Sequence, residues 1–350
     1  MNASVSAAPV TNRQIAELLA RRAEETDGHR RRAYRRSAAA AFLWLEEAAE
    51  LHADGRPLTE LNYVGDRLAA RIAGWIEDPP EVPEPPPARR GFLTLAELKP
   101  VLDSGPDWIG ELRGDLQMHT VYSDGLGTVE EMAEACFQLG YEYAAITDHS
   151  TGQAIPEGMD AAATARQFIE IDRVNRGFAE GGREFRVLRS IELNLMEDGS
   201  GALTADELRD FELVVGSFHS KLRAKDDQTR RYVVALSNPD VDIIGHPRGR
   251  RWDLRGGLNA DWDVVFEATR RYDKAMEINA NPARQDLQLE LLEIAAESGI
   301  KISIATDSHS IPELNFVSFA VGTALKTGIS RDQIINFMTA EELLEWRRAR

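Results

Sequence analysis

Gly114 to Gly125 reads G-D-L-Q-M-H-T-V-Y-S-D-G, a short run with apolar residues that closes on His119, with an acid, Asp124, beyond it. The pattern returns in Tyr143 to Ser150, Y-A-A-I-T-D-H-S, which ends on Asp148 and His149. Between them, Val129–Leu139 has apolar residues at helical spacing. Carried outward, this alternation predicts strands at Arg113–His119, Tyr143–Asp148, Arg186–Leu195, Leu213–Phe218, Val241–His246, Ala275–Asn279 and Lys301–Asp307. Helices are predicted at Val129–Leu139, Ala163–Ala179, Gln228–Leu236, Trp262–Tyr272, Leu287–Glu297 and Arg331–Arg347. Strands that alternate with helices pair in parallel, giving an α/β domain. About seven such units exceed what a small open sheet usually holds, so a closed barrel is expected.

Five of the seven histidines fall at the predicted strand ends: His119, His149, His219, His246 and His309, with His29 and His52 elsewhere. Asp124, Asp148, Glu192 and Asp307 accompany them. Parallel barrel strands end on one rim, so residues far apart in the chain meet there. Imidazoles mixed with carboxylates suit Zn, Mn or Fe and suit soft, thiophilic ions poorly. At about four to six ligands per ion, these groups imply two to three divalent metal ions. Glu192, alone on its strand, is the natural bridging carboxylate. Clustered ions make hydroxide available near neutral pH and neutralise phosphate oxygens. A single histidine at a strand end is more often a hydrogen-bonded structural residue, but that reading does not account for five of them, each beside a carboxylate.

The length of 350 residues suggests roughly two domains. Asp78 to Pro87, D-P-P-E-V-P-E-P-P-P, removes backbone donors and marks the boundary. Upstream, Asn12–Ala20, Arg32–Glu50 and Asp66–Trp75 carry apolar residues at helical spacing among many alanines. The expected order is a small all-helical domain over 1–88, a linker over 89–110 with a short amphipathic piece, and the barrel domain over 111–350. With 41 Lys and Arg against 58 Asp and Glu, the net charge of −17 repels polyanions, so any nucleic-acid contact must be local. The acidity leaves room for a cation-collecting site, although a plain solvated acidic surface is the simpler explanation. No apolar run approaches the roughly 20 residues that span a bilayer, and Met1 to Gln14 lacks the features of a signal peptide. A cytoplasmic chain with no membrane contact is expected. The single cysteine, Cys136, cannot form an internal disulfide and is expected to pack in the core on an outer helix.

Taken in order, the motifs resemble the PHP family, the polymerase and histidinol phosphatase superfamily of metal-dependent phosphoesterases. They are G-D-L-Q-M-H-T-V-Y-S-D-G, I-T-D-H-S, S-I-E-L-N with Glu192, S-F-H-S with His219, G-H-P-R-G-R with His246, and A-T-D-S-H-S with Asp307 and His309. The resemblance runs from about Arg113 to Leu325 and implies a distorted (β/α)7 TIM-like barrel with three metals. It implies one ion held by His119, Glu192 and Asp307, a second by Glu192, His219 and His246, and a third by Asp124, His149 and His309. Gln117 stands where the family usually has a further histidine. Its amide oxygen can ligate a hard ion, though more weakly than imidazole.

The chain also resembles the C-terminal PHP domain of bacterial family-X DNA polymerases, notably at Glu277 to Leu287, E-I-N-A-N-P-A-R-Q-D-L. Asn12–Glu50 is similar to their lyase-like helical domain, and Leu58–Glu77 to their helix-hairpin-helix. No nucleotidyl-transfer palm fits between Glu77 and Arg113, so polymerisation is not expected. A helix-hairpin-helix holds a DNA backbone through amides at a glycine turn. Gly65 remains here, Tyr63 replaces the other usual glycine, and Arg35, Arg36 and Arg67 are candidate phosphate contacts. A hairpin used only for packing is an equal alternative, and a solvated arginine-rich helix face is the simpler account of the arginines.

Arg250, Arg284, Lys221 and Arg248 lie just beyond predicted strand ends and are candidates to bind a substrate phosphate. Surface salt bridging explains Lys221 and Arg248 equally well. Asn279 and Asn281 either orient substrate or cap a loop. The expected activity is that of a hydrolase: a metal-dependent phosphoesterase using metal-activated water on nucleic-acid ends, such as 3′-phosphates or 3′-terminal nucleotides, with DNA contacted through the N-terminal module. The alternatives are a small-molecule phosphatase of the histidinol-phosphate kind, or a non-catalytic DNA-binding scaffold whose metal site is decaying at Gln117.

Overall fold

The computed structural model describes residues 9–152 and 158–350. The chain divides into two compact units. One runs to Ser104 and takes in Trp252–Gly256; the other comprises Gly105–Arg251 and Gly257–Arg350. Among the described residues no helix is long and apolar enough to cross a membrane.

The first unit is helical: α1 (Asn12–Glu24), α2 (Gly28–Ala40), α3 (Ala48–Ala53), α4 (Asp66–Glu77) and α5 (Leu95–Ser104). Thr11 and Gln14 cap α1 reciprocally. The segment expected as one helix over Arg32–Glu50 is broken instead. A 3-10 turn at Ala41–Leu43 leads into extended Trp44, whose buried indole donates to the Asn62 carbonyl at 3.3 Å. Asn12 then ties α1 to the start of α3, accepting from Ala48 N at 2.8 Å and donating to Glu46 O at 2.8 Å. The 89–110 stretch, expected as a linker, carries α5 behind a reciprocal Thr94–Glu97 cap. Buried Arg89 is held there by Glu17, Glu24 and Asp253.

The second unit is a seven-stranded parallel sheet in chain order: β1 (Gly114–Met118), β2 (Tyr143–Ile146), β3 (Arg186–Leu195), β4 (Leu213–Phe218), β5 (Ile243–Gly245), β6 (Ala275–Asn279) and β7 (Lys301–Ala305). Its helices are α6 (Trp108–Glu111), α7 (Val129–Gln138), α8 (Ala161–Glu180), α9 (Ala205–Leu208), α10 (Thr229–Ser237), α11 (Trp262–Arg271), α12 (Leu289–Ser298), α13 (Val317–Thr327) and α14 (Ala340–Arg348). β3 changes partner along its length. Tyr143–Ile146 of β2 pairs with its first four residues, and β4 takes over from Ser190.

The two edge strands meet at the top, where His119 N donates to Ser308 O at 2.8 Å and Asp307 N to Gln117 O at 3.0 Å. Lower down a side chain fills the seam. Asn336 donates to Gly114 O and Ile304 O and accepts from Ile304 N, all within 2.8 Å, so the sheet is a nearly closed (β/α)7 barrel. Leu116, Tyr143, Leu188, Leu213, Val215 and Ile243 fill the core with Ile335, Leu343 and Trp346.

That use of Asn336 explains why Arg331–Arg347 is not one helix. Two 3-10 turns, Arg331–Gln333 and Ile335–Phe337, deliver the plug before Thr339 caps α14. Cys136 is buried on α7 beside Met118. The loop carrying Asp124 is closed by Thr128, whose hydroxyl caps α7 with Glu131 returning the bond. Thr128→Ala is expected to destabilise the protein by about 1 kcal/mol, read from the urea midpoint at unchanged slope.

Candidate metal centre

The C-terminal strand ends deliver the predicted side chains to one place. Glu192, on the second half of β3, is fully buried and divides its two oxygens. Oε2 lies 2.9 Å from His149 Nδ1 and 3.5 Å from His119 Nε2; Oε1 lies 2.9 Å from His246 Nε2 and 3.3 Å from His219 Nε2. His119 Nε2 is also 3.2 Å from Asp307 Oδ1. At the outer edge Asp124 stands 3.6 Å from His149 Nε2, 3.3 Å from His309 Nε2 and 3.8 Å from His119 Nδ1. The rings pack in series, with His119 4.5 Å from His149 and 4.4 Å from His309 between centroids.

These approaches are not a satisfied hydrogen-bond network. Both nitrogens of His119, with His149 Nδ1, His219 Nε2, His246 Nδ1 and Glu192 Oε2, are buried without a hydrogen-bond partner among the described residues. Donor atoms aimed at a shared ion converge in this way, close together but not aligned on each other. Buried polar groups otherwise find partners. Among the described residues two groups have ligand atoms within 4.8 Å of one another: His119, Asp124, His149 and His309, and His149, Glu192 and His219. Nitrogen and oxygen donors of this mix fit divalent ions of the zinc, manganese and iron kind.

Neighbouring groups aim the ligands. Asn194 Oδ1 sits 2.6 Å from His219 Nδ1, which fixes the proton there and leaves the Nε2 lone pair facing Glu192. His309 Nδ1 is likewise 2.9 Å from the Asp307 carbonyl. His246 and Asp307 take left-handed backbone angles, φ 24° and 53°, costly for residues with a side chain and concentrated at functional positions. Asp148, expected among the acids of the rim, instead accepts from Thr120 N, Thr120 Oγ1, Ser123 Oγ and Gln167 Nε2. It clamps the loop that presents Asp124. The sequence reading missed that role, and missed Asn194; a buried acid followed by a ligand histidine gives no local sign of which of the two faces the rim.

The electrostatics show how strongly this point demands positive charge. Burial pulls the His149 imidazole down, but Glu192 and Asp124 reverse it and raise it to about 10. Burial and Asp124 act likewise on His309, which reaches about 9. Burial prevails at His219, lowering it to about 4, and it lowers His246 with help from Arg284. Burial is overcome at Asp124 by His149 and His309, and at Glu192 by His149 and His219, so both carboxyls lie well below their ordinary range. Asp307 is held down by Arg284 and His119 against the same desolvation.

Gln117 points into the barrel with both amide atoms buried and unpartnered among the described residues. A Cβ on Gly245 would come within 3.1 Å of its Oε1 and 2.4 Å of Ser217 Oγ, so only glycine lets that amide approach β5. The four predicted phosphate cations are placed differently from one another. Arg284 is in the site, its Nε 2.8 Å from Asp307 Oδ2. Lys221 is exposed and paired with Glu197 at 2.5 Å, a surface salt bridge. Arg248 donates to Leu258 O and Gln288. Arg250 is buried beside Gln288, and burial lowers its guanidinium to about 10. A cavity of about 420 Å³ opens beside His219, lined by Asn194, Leu195, Met196, Glu197 and Ser220.

In the helical unit, Gly65 is the N-cap of α4 without a side-chain cap, and Tyr63 is 62% exposed at φ 63°. Arg36 lies over the Tyr63 ring at 5.4 Å, and Arg71 over Tyr34 at 5.9 Å. Among the described residues Arg35, Arg36, Arg67 and Arg71 have no carboxylate within salt-bridge reach, whereas Arg21, Arg31, Arg56 and Arg89 do.

The model of the PHP domain matches residues 115–281. Over 236 residues the chain is 37% identical to the DNA polymerase/3′-5′ exonuclease PolX of Bacillus subtilis, covering 67% of this chain. It spans 41% of that polymerase's length. A probable phosphatase of Acetivibrio thermocellus is 30% identical over 219 residues, 59% of this chain and 81% of the relative. Among solved structures, histidinol phosphate phosphatase from Lactococcus lactis, complexed with zinc, L-histidinol and phosphate, superposes with a TM-score of 0.46 at 15% identity. That superposition covers 62% of this chain and 94% of the other. With the six motifs in order, their side chains on one rim, the PHP domain matched over 115–281 and a relative 30% identical covered to 81% of its length, the chain belongs to the PHP family.

Proposed function

We propose that this PHP protein is a metal-dependent phosphoester hydrolase acting on nucleic-acid ends, 3′-phosphates or 3′-terminal nucleotides, in the cytoplasm. The observation that carries the reading is Glu192, whose two buried oxygens face imidazoles from four other strands. Divalent ions there, two or three of Zn, Mn or Fe, supply acidified water and charge neutralisation for phosphate oxygens. His119, Glu192 and Asp307 hold one, Glu192, His219 and His246 a second, and Asp124, His149 and His309 a third, with the Gln117 amide in reserve at the first. Asn194 keeps the His219 Nε2 lone pair available, and Arg284 holds one oxygen of Asp307 while its remaining N–H groups can meet a substrate phosphate. Metal-loaded protein is expected to hydrolyse a chromogenic phosphate ester and 3′-phosphorylated oligonucleotides. No turnover above His149→Ala and Asp307→Ala with Mn, Zn or Fe would end the proposal.

Arg35 and Arg36 of α2 and Arg67 and Arg71 of α4, with no carboxylate within salt-bridge reach among the described residues, support the nucleic-acid part, because a local basic surface is what a chain of charge −17 needs to hold a polyanion. Arg35→Glu with Arg36→Glu is expected to weaken oligonucleotide binding at least tenfold and to flatten its salt dependence by about two in log–log slope. Equal binding at all salt concentrations would favour the second reading, a small-molecule phosphatase. The cavity beside His219, with Leu195 and Met196 in its wall, is of a size for a small ligand.

A further inference from the structure

β6 is the one strand that brings no predicted ligand to the rim, yet it lies between His246 after β5 and Asp307 after β7. We infer that its Glu277 and Asn279 are positioning residues that set both of those ligands; this rests on the metal-site reading above. Asn279 Nδ2 has two protons and two acceptors, Glu277 Oε1 at 2.8 Å and Asp307 Oδ2 at 3.1 Å. Its Oδ1 accepts from Asn281 N at 3.1 Å, so a flipped amide would lose that bond and set oxygen against two carboxylates. Arg284 Nε takes the same Asp307 oxygen at 2.8 Å. Asn279 and Arg284 thus both engage Oδ2, and Oδ1 is left toward His119. Glu277 Oε1 also accepts from His246 N at 2.8 Å, holding the peptide whose left-handed φ turns that N–H into the barrel. One fully buried carboxylate thus fixes the backbone of one ligand directly and the carboxylate of another through Asn279. Its Oε2 has no hydrogen-bond partner among the described residues, which is where a glutamine would place its amide nitrogen.

The test is the divalent-ion affinity of the full chain, by competition with a chromophoric chelator using Mn and Zn, alongside the melting temperature of chelated protein. Asn279→Ala is expected to weaken the affinity tenfold to a hundredfold, as loss of ligand-orienting partners commonly does. Asn279→Asp, the same size with an acceptor in place of the donor, should weaken it further. Glu277→Gln keeps an acceptor for His246 N and Asn279 and should stay within about threefold of wild type. Excess metal should restore kcat in Asn279→Ala, because the ligands themselves remain. Wild-type affinity in both Asn279 variants would overturn the inference, as would a lowered apo melting temperature with unchanged affinity, the mark of a purely structural role. A wild-type chain that takes up neither ion would instead overturn the metal-site reading and the inference with it.

Discussion

Glu192→Gln is expected to cut turnover by more than about a hundredfold and to leave the purified protein at least one divalent ion short. The carboxylate faces His149 and His119 with one oxygen and His219 and His246 with the other. An amide keeps a single acceptor, so whichever way it turns, an N–H is aimed at two imidazoles and one group of ligands loses its anion. The substitution changes almost no volume, and it removes a charge from a fully buried position. Without ions that charge is what holds His149 protonated, so the chelated variant should melt below chelated wild type and show a weaker pH dependence. Elemental analysis with turnover on a phosphate ester checks this. Full metal content with undiminished turnover would leave Glu192 without the bridging role.

Stripping the ions with a chelator is expected to lower the melting temperature of the barrel unit by about 5–10 °C for each ion lost. An ion present at a hundred times its dissociation constant contributes about 2.7 kcal/mol, and a unit of this size shifts by about 2–4 °C per kcal/mol. The chelated protein should also acquire a pH dependence. His149 at about 10 and His309 at about 9 are raised above an unfolded histidine. Without ions the folded state therefore binds more protons than the unfolded state between pH 6.5 and 9, and stability falls as pH rises through that window. Ion uptake must expel the same protons, so apparent affinity should rise with pH, about tenfold per unit for each proton displaced. Denaturation of chelated and loaded protein at pH 6.5, 7.5 and 8.5 separates the two cases. A chelated protein whose stability is level across that range would contradict the electrostatic account of the rim.

The strands were legible because each is a short apolar run ended by polar chemistry. β3, β4 and β6 have the bounds expected from sequence, and the others differ by one or two residues at an end. Helix α13 was not legible. Val317, Phe319, Ala320, Val321 and Ala324 are all buried, so it lacks the polar face that gives a helix its periodicity. Asn336 gave no signal either, because a side chain that completes a β-seam depends on strands 32 and 222 residues away.

From local chemistry alone it follows that five histidines and four acids belong at the ends of parallel strands, because strand period and residue type are properties of neighbouring residues; that Asp148 turns away from the others is not local. Which oxygen faces which imidazole is not local. The left-handed turns at His246 and Asp307, the partner change along β3 and the bonds from β6 decide it. The same holds for the cations. Equivalent as strand-end arginines in the sequence, Arg250 is buried against Gln288 while Arg284 reaches Asp307, a distinction that only the packed barrel makes.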